Sequence, residues 1–126
     1  MFVTAKLLDK LKACKEERNR FAELFPFGVE LSRTVIVQHA QEFNWTWCAE
    51  NLASEAGLTV YDRAERLART VYDQDTNLAY FTYVTTHTAT IAELAQAQST
   101  YRQAVEPALA AYNLARAAAF ADAIGL

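Results

Sequence analysis

Three side chains in the first half of the chain have the types and spacing of a metal site. His39 and Glu42 lie three residues apart, which places both on one face of a helix, and Cys48 follows closely. A zinc site requires three or four such ligands, and His87 is the only other histidine in the sequence. Di-iron bundles use Glu-x-x-His pairs, whereas "HAQE" reverses that order and occurs once. We therefore expect no metal or other cofactor, and we expect His39 to hydrogen-bond to a neighbouring side chain.

Nucleophilic catalysis is the second chemistry that these residue types suggest. Cys48 and His39 are nine residues apart on adjacent predicted helices, but no third group is placed to orient the histidine. The three glycines are isolated, which excludes a glycine-rich phosphate loop. Asp73 and Asp75 lie two residues apart, so they point to different sides of a helix and are predicted to be solvated. The sequence therefore predicts a protein that is not an enzyme, with a small-molecule enzyme as a remaining alternative.

Aromatic side chains are the candidates for binding another protein. Trp45 and Trp47 are two residues apart, so about 200° separates them on a helix and they do not share a core easily. Trp47 is predicted in the core. Trp45 is predicted either to lie against the long helices or to remain partly exposed as an interface anchor. Tyr80, Phe81 and Tyr83 are predicted either to pack on the returning helix or to contact a partner or a second copy. These three and Trp45 are the candidate interaction residues.

The charge distribution argues against nucleic acid as a partner. Residues 1–33 carry seven basic and five acidic groups, and the remainder carries five basic and ten acidic groups. All the lysines lie in the first fifteen residues: Lys6, Lys10, Lys12 and Lys15. Because the long C-terminal part is acidic, it should repel a phosphate backbone.

The cysteines and the N-terminal residues favour a cytoplasmic protein. Cys14 and Cys48 are far apart in the sequence and are expected to be reduced, buried thiols. The first apolar run is interrupted by Lys6, Asp9 and Lys10, which is not the pattern of a signal peptide. No apolar stretch approaches the roughly 18 residues that span a membrane, so we expect no membrane association.

Short helices joined by tight turns are predicted for the first third of the chain. Apolar spacing indicates helices over about 4–12 and 15–25, followed by an "FPFG" β-turn with Pro26 second and Gly28 fourth. Ser32 is a plausible N-cap for a helix over about 33–43, and Asn44 for a fourth, short helix. Ser54, followed by Glu55, then opens a longer helix.

Eleven-residue repeats dominate the sequence from residue 55 onward. "TVYD" occurs twice, and Tyr61, Tyr72 and Tyr83 are spaced by eleven, as are Tyr101 and Tyr112. Eleven residues make three turns, so such a stripe drifts by only about 20° per repeat and keeps facing one neighbour. Alanines recur between the tyrosines at matching positions. In the middle unit Asp75 replaces the first alanine, and Ala79 keeps the second. The pattern predicts packing units, with the aspartates of TVYD in solvent.

A single helix over these repeats would be too long to bury its stripe in a monomer. The threonine-rich "TTHTAT" at 85–90 is a poor helix interior, so we predict a reversal there. The fold class is therefore all-α: a long antiparallel helical hairpin, about 55–84 and 89–123, with three or four short N-terminal helices packed at one end. Pro107 should bend or interrupt the second arm, and Gly125 should follow its end. One domain spans 1–126, with a short-helix cap over 1–53 and the hairpin over 54–126.

Three segments of this sequence resemble a family of small helical proteins from tailed phages and prophages. They are "ACKEERNRFAELFPFGVELS", "FNWTWCAENLASEA" and "YRQAVEPALAAYNLARAAAFA", and the resemblance extends over most of the chain, roughly residues 13–122. The shared features are an LFPxGV turn, a Trp-bearing helix and Ala/Tyr eleven-residue repeats. Phe27 departs from the pattern, since a polar residue is more usual in the turn. The resemblance implies a phage or mobile-element context, and it supplies no catalytic residues.

The combined expectation is a protein that binds another protein without transforming a substrate. In a phage context this is a small accessory protein that docks on a host or phage protein machine, for example an inhibitor of a bacterial defence system. The alternative is a structural protein whose Ala/Tyr helices assemble into a bundle between chains, as a homo-oligomer.

Overall fold

The computed structural model describes residues 1–85 and 90–126 of the chain. Six helices and one two-stranded sheet make up this part. In chain order they are β1 (Phe2–Val3), α1 (Ala5–Lys10), α2 (Lys15–Leu24), β2 (Val29–Glu30), α3 (Arg33–Gln38), α4 (Trp45–Leu52), α5 (Glu55–Thr85) and α6 (Ile91–Ala123). The predicted all-α class is confirmed, because the sheet contributes only four residues.

The hairpin of α5 and α6 is the main body of the fold. Its helices run antiparallel, since Tyr72 stacks near Tyr112 and Tyr83 near Tyr101, at ring-centroid distances of 5.5 and 5.4 Å. The eleven-residue tyrosines therefore do face the neighbouring helix. The helices meet closely where α5 begins, because a Cβ placed on Gly57 would lie 2.1 Å from the backbone carbonyl oxygen of Ala123.

Two expectations for the hairpin have different outcomes. The predicted reversal at 85–90, with His87, falls mostly on residues 86–89, which lie outside the described residues. The predicted interruption at Pro107 is wrong, because α6 continues through it to Ala123. Pro107 is exposed, so solvent can bond the helical carbonyl that loses its partner.

The predicted helix caps are confirmed by their hydrogen bonds. Ser32 accepts from the backbone N–H of Val35, and Asn44 accepts from that of Trp47. Ser54 accepts from Gly57 at the start of α5. At the same end of the hairpin, after α6, Gly125 adopts φ +81°, a conformation that glycine tolerates best. These bonds set where the chain changes direction.

The structure corrects the N-terminal third in two places. Helix α3 ends at Gln38 and not near residue 43, because the carbonyl of Ala40 accepts the Trp45 indole N–H, and turns occupy 39–42. Strands β1 and β2 were not predicted. They pair antiparallel, with Phe2 opposite Glu30, and are too short to show an alternating pattern.

The core divides into two clusters of buried side chains. The larger one joins α3 and α4 to the hairpin and is centred on Ile36, Trp45, Tyr61 and Phe120. The smaller one, centred on Phe21, lies among β1, α1 and α2. Both clusters belong to the same end of the molecule, so the short helices form a cap on the base of the hairpin.

Candidate functional site

Trp45 lies in the core, which corrects its place among the candidate interaction residues. Its side chain is 4% exposed, stacks on Phe120 at 5.5 Å and donates its indole N–H to the Ala40 carbonyl. The expectation that it lies against the long helices is confirmed, and the partly exposed anchor is wrong. Trp47, predicted in the core, is only half-buried and packs beside the smaller cluster.

Tyr80, Phe81 and Tyr83 lie near the end of α5, and the structure gives them different surroundings. Tyr83 is half-buried and stacks on Tyr101 of α6, so it packs on the returning helix. The Tyr80 ring lies 6.1 Å from that of Tyr101, yet its side chain stays exposed. Phe81 is exposed. Tyr80 and Phe81 are therefore the two residues of the set that can touch another molecule.

The His39 cluster has the geometry of a structural hydrogen bond. Nδ1 of His39 lies 2.7 Å from Oε2 of Glu42, as predicted. Among residues 1–85 and 90–126, no group of three or more His, Cys, Asp or Glu side chains is arranged to hold a metal. Burial, and then the nearby Glu17 carboxylate, raises the pKa of the Cys48 thiol to about 12. That thiol is therefore a poor nucleophile.

The cysteine expectation holds in part. Both cysteines are free thiols in the structure. Cys14 is exposed and not buried, because it occupies the N-cap position that precedes α2. Asp73 and Asp75 are exposed, which confirms that they are solvated.

A polar network that the sequence analysis missed crosses the hairpin. The buried carboxylate of Glu65 accepts hydrogen bonds from Nε and Nη2 of Arg69, at 3.0 and 2.6 Å, and from the Tyr112 hydroxyl. Burial alone would raise the pKa of Glu65, but the bonds from Tyr112 and Arg69 outweigh it and lower that pKa. Only the Glu65–Arg69 spacing of four residues gave a signal in the sequence.

Arg116 connects this part of the hairpin to the cap. Its guanidinium lies over the Tyr112 ring, 5.1 Å from the centroid, and its Nη2 donates to Thr46 of α4 at 2.6 Å. Its Nε donates to the Tyr61 hydroxyl at 3.3 Å. These hydrogen bonds all join groups within the fold, so we assign the network a positioning role.

One face of the hairpin carries a line of exposed aliphatic side chains. Val60, Leu67, Val71 and Leu78 fall within about 40° of each other on a helix, and all are exposed. We call these four residues the α5 stripe. Leu67 and Leu78, which are 68% and 74% exposed, repeat at eleven residues but sit beside the buried tyrosines. A shallow cavity of about 140 Å³ between the helices adjoins the stripe at Val71.

The outer part of the hairpin has few charged residues and few buried residues. We call residues 67–85 and 90–105 the arm. Of these 19 and 16 residues only five are charged, whereas twelve of residues 1–33 are charged. Thr76 is the one buried residue that the structure describes in the arm. Depletion of charge together with exposed aromatic and aliphatic side chains is typical of the centre of a protein interface.

A second apolar feature lies inside the cap. A cavity of about 260 Å³ lies between the two core clusters and is lined mainly by aromatic and aliphatic side chains. We call it the cap cavity. Cys14 and Asn44 are exposed members of its lining, so it is open to solvent.

Comparisons with family models, with curated proteins and with solved structures find no match to this chain. In the described part of the chain, neither long helix has the run of apolar residues that a membrane span requires.

Proposed function

We propose that this chain is a non-enzymatic module that binds another protein through its arm. The phage-like sequence features favour an accessory protein of a phage or mobile element. It would act inside the bacterial cytoplasm by docking on a host or phage protein machine. Inhibition of a bacterial defence system is one concrete form of this role.

The observation that carries the proposal is the contrast between exposed apolar surface and missing charge on the arm. Isolated exposed apolar residues are normal on a protein surface. The arm instead aligns Leu67, Val71 and Leu78 on one side and adds Tyr80 and Phe81 near its end. When a partner covers a surface of this composition, the free-energy cost of desolvation is small, because few charged groups are removed from water.

The test compares two sets of exposed apolar residues. The double variant Leu67→Ser/Leu78→Ser alters the arm, and Phe27→Ser alters an apolar side chain in the cap that is 92% exposed. We expect wild type and Phe27→Ser to retain the same protein from host or phage-infected lysate, and the double variant to lose it. Equal thermal unfolding of the three proteins would show that the fold is unaffected. Equal retention by the double variant would contradict docking through the arm.

Self-assembly is the second candidate, and the spacing of the α5 stripe favours it. The intervals from Val60 to Leu67, to Val71 and to Leu78 are seven, four and seven residues, which read the same in both directions. Two antiparallel copies of α5 therefore place Val60 opposite Leu78 and Leu67 opposite Val71 in both halves of the contact. A two-fold interface requires this self-complementarity.

Light scattering over a concentration series tests the second candidate. We expect a dimer that Leu67→Ser/Leu78→Ser converts to monomer. In a Cys14→Ser background, mixed Leu67→Cys and Val71→Cys chains should form a crosslinked pair faster than either chain alone, because the register places these positions opposite each other. A strict monomer at every concentration would contradict self-assembly and leave docking on another protein as the function.

A further inference from the structure

The cap cavity is large for a helical domain of 126 residues. Its volume of about 260 Å³ exceeds the roughly 150 Å³ of an apolar cavity that admits benzene. It falls just below the roughly 300 Å³ at which pockets for drug-sized ligands begin. The volume therefore suits a molecule of about two fused rings and excludes a nucleotide or a long acyl chain.

The lining of the cap cavity restricts the shape of its ligand. Phe21, Phe43, Trp45 and Trp47 contribute aromatic surface, and Leu52 adds an aliphatic side chain. The rings of Phe21 and Phe43 are tilted at 59° and those of Phe43 and Trp45 at 74°, so edges and faces alternate around the space. Aromatic rings prefer such tilted or offset neighbours, so a flat aromatic molecule gains the most contact.

The charges of the lining restrict the polarity of the ligand. Glu17 is the one carboxylate of the described lining, and neither lysine nor arginine contributes to it. Its Oε1 lies 3.7 Å from Nη1 of Arg20, a separation too long for a strong hydrogen bond. His39 also lines the cavity, but its Nδ1 is held by Glu42. The Glu17 carboxylate is the one charged acceptor of the described lining, and it also acts on the Cys48 thiol inside the cap.

We propose that the cap cavity binds a small, flat aromatic molecule bearing one amine, with the ring among Phe43, Trp45 and Trp47 and the ammonium hydrogen-bonded to Glu17. The arm is not part of this site, so the assignment is independent of docking or self-assembly. An anionic ligand of the same shape is rejected, since it would bring its carboxylate to Glu17 with no cation in the lining.

Three probes of equal ring size test the proposal on the full chain: 1-naphthylmethylamine, 1-naphthylmethanol and 1-naphthylacetate. Titration calorimetry gives the affinities, and the two indole N–H resonances report the location in NMR spectra. We expect the amine to bind about tenfold more tightly than the alcohol, as one charge-assisted hydrogen bond provides. The acetate is expected to bind most weakly. The indole resonances should shift, and the amide resonances of the arm should not.

Two variants test separately the bond from the ammonium to Glu17 and the position of the ring in the cap cavity. Glu17→Gln should reduce amine binding about tenfold, to the level of the alcohol, and leave alcohol binding unchanged. Cys48→Phe should fill the cavity and abolish binding of all three probes. If Cys48→Phe does not fold, the Glu17→Gln comparison decides. Absence of binding of every probe at about 1 mM, equal binding of amine and acetate, or shifts confined to the arm would each overturn the proposal.

Discussion

The two ends of the hairpin are built from the same repeat and have opposite properties. At the base, Tyr61 is 1% exposed and lies among cap side chains, with its hydroxyl 3.0 Å from the hydroxyl of Thr46. In the arm, Tyr83 occupies the same repeat position, is half-buried and stacks on the ring of Tyr101. The repeat supplies a helix with a tyrosine stripe. At the base, side chains of α3 and α4 pack on the hairpin and bury this stripe, whereas the described tyrosines of the arm remain partly or largely exposed.

The side chains that stabilise the fold and those on which the proposed binding depends lie in different parts of the chain. The base contains both core clusters and the Glu65 and Arg116 bonds. The arm contains few charges and the exposed apolar side chains on which the proposed docking rests. Substitutions should therefore divide into those that unfold the protein and those that affect binding alone.

The largest expected effect is the difference in unfolding free energy between a truncation at the base and a truncation in the arm. Phe120→Ala removes a buried ring that stacks on Trp45, and it should cost about 3–5 kcal/mol of unfolding free energy in urea titrations. Leu78→Ala, a truncation in the arm, should cost less than about 1 kcal/mol because the side chain is already exposed. Similar losses for the two variants would show that the arm is part of the cooperative core.

The next effect tests how closely the helices meet at the base. Gly57→Ala forces a methyl group against the carbonyl of Ala123, so it should cost about 1–3 kcal/mol in the same titrations. Gly125→Ala is the matched control. Among the described residues, no heavy atom beyond the two neighbours of Gly125 lies within 4 Å of a Cβ placed there, and the positive φ of this residue should cost about 1 kcal/mol. A neutral Gly57→Ala would mean that the two helix ends separate easily.

A smaller effect concerns the pH dependence of the base. Because the folded-state pKa of Glu65 is lowered, its carboxylate stabilises the fold above the unfolded-state pKa of about 4.3. This contribution is lost as the pH falls from there through the folded-state pKa. Glu65→Gln should cost about 1–2 kcal/mol at neutral pH, and the difference from wild type should shrink in acid.

Unfolding curves between neutral pH and pH 3 check this expectation. Tyr112→Phe removes one donor to Glu65 and keeps those of Arg69, so its pH dependence should lie between those of wild type and Glu65→Gln. Parallel curves for wild type and Glu65→Gln would contradict the role of this carboxylate.

The smallest effect on stability is expected in the arm. Tyr101→Ala removes the ring that contacts Tyr80 and Tyr83, yet it should change the global unfolding free energy by less than about 1 kcal/mol. Native-state hydrogen exchange should accelerate for arm amides and stay unchanged at the base, because local openings there involve little buried surface. Acceleration throughout the chain would remove the distinction between the two ends.

Much of the fold could be predicted because its signals are local. The caps at Ser32 and Asn44 act over three residues, and the eleven-residue spacing requires only helix geometry. The candidate sites were less accessible to prediction. Trp45 and Trp47 carry the same propensity, and the stacking on Phe120, 75 positions away, decides which is buried. Leu67 and Leu78 of the α5 stripe repeat at eleven residues in the sequence, but their exposure is decided by the packing of the helices.

The sequence by itself determined the helices, their ends and the faces that the repeats present, since hydrogen bonds and side-chain periodicity within one helix decide these. The tertiary structure alone decided the cap cavity, the burial of Trp45 and the bond from Tyr112 to Glu65 across 47 positions. These features arise from close packing between distant segments. If two helices packed one helical turn out of register, each of these three features would change, although the sequence and its local pattern would be the same.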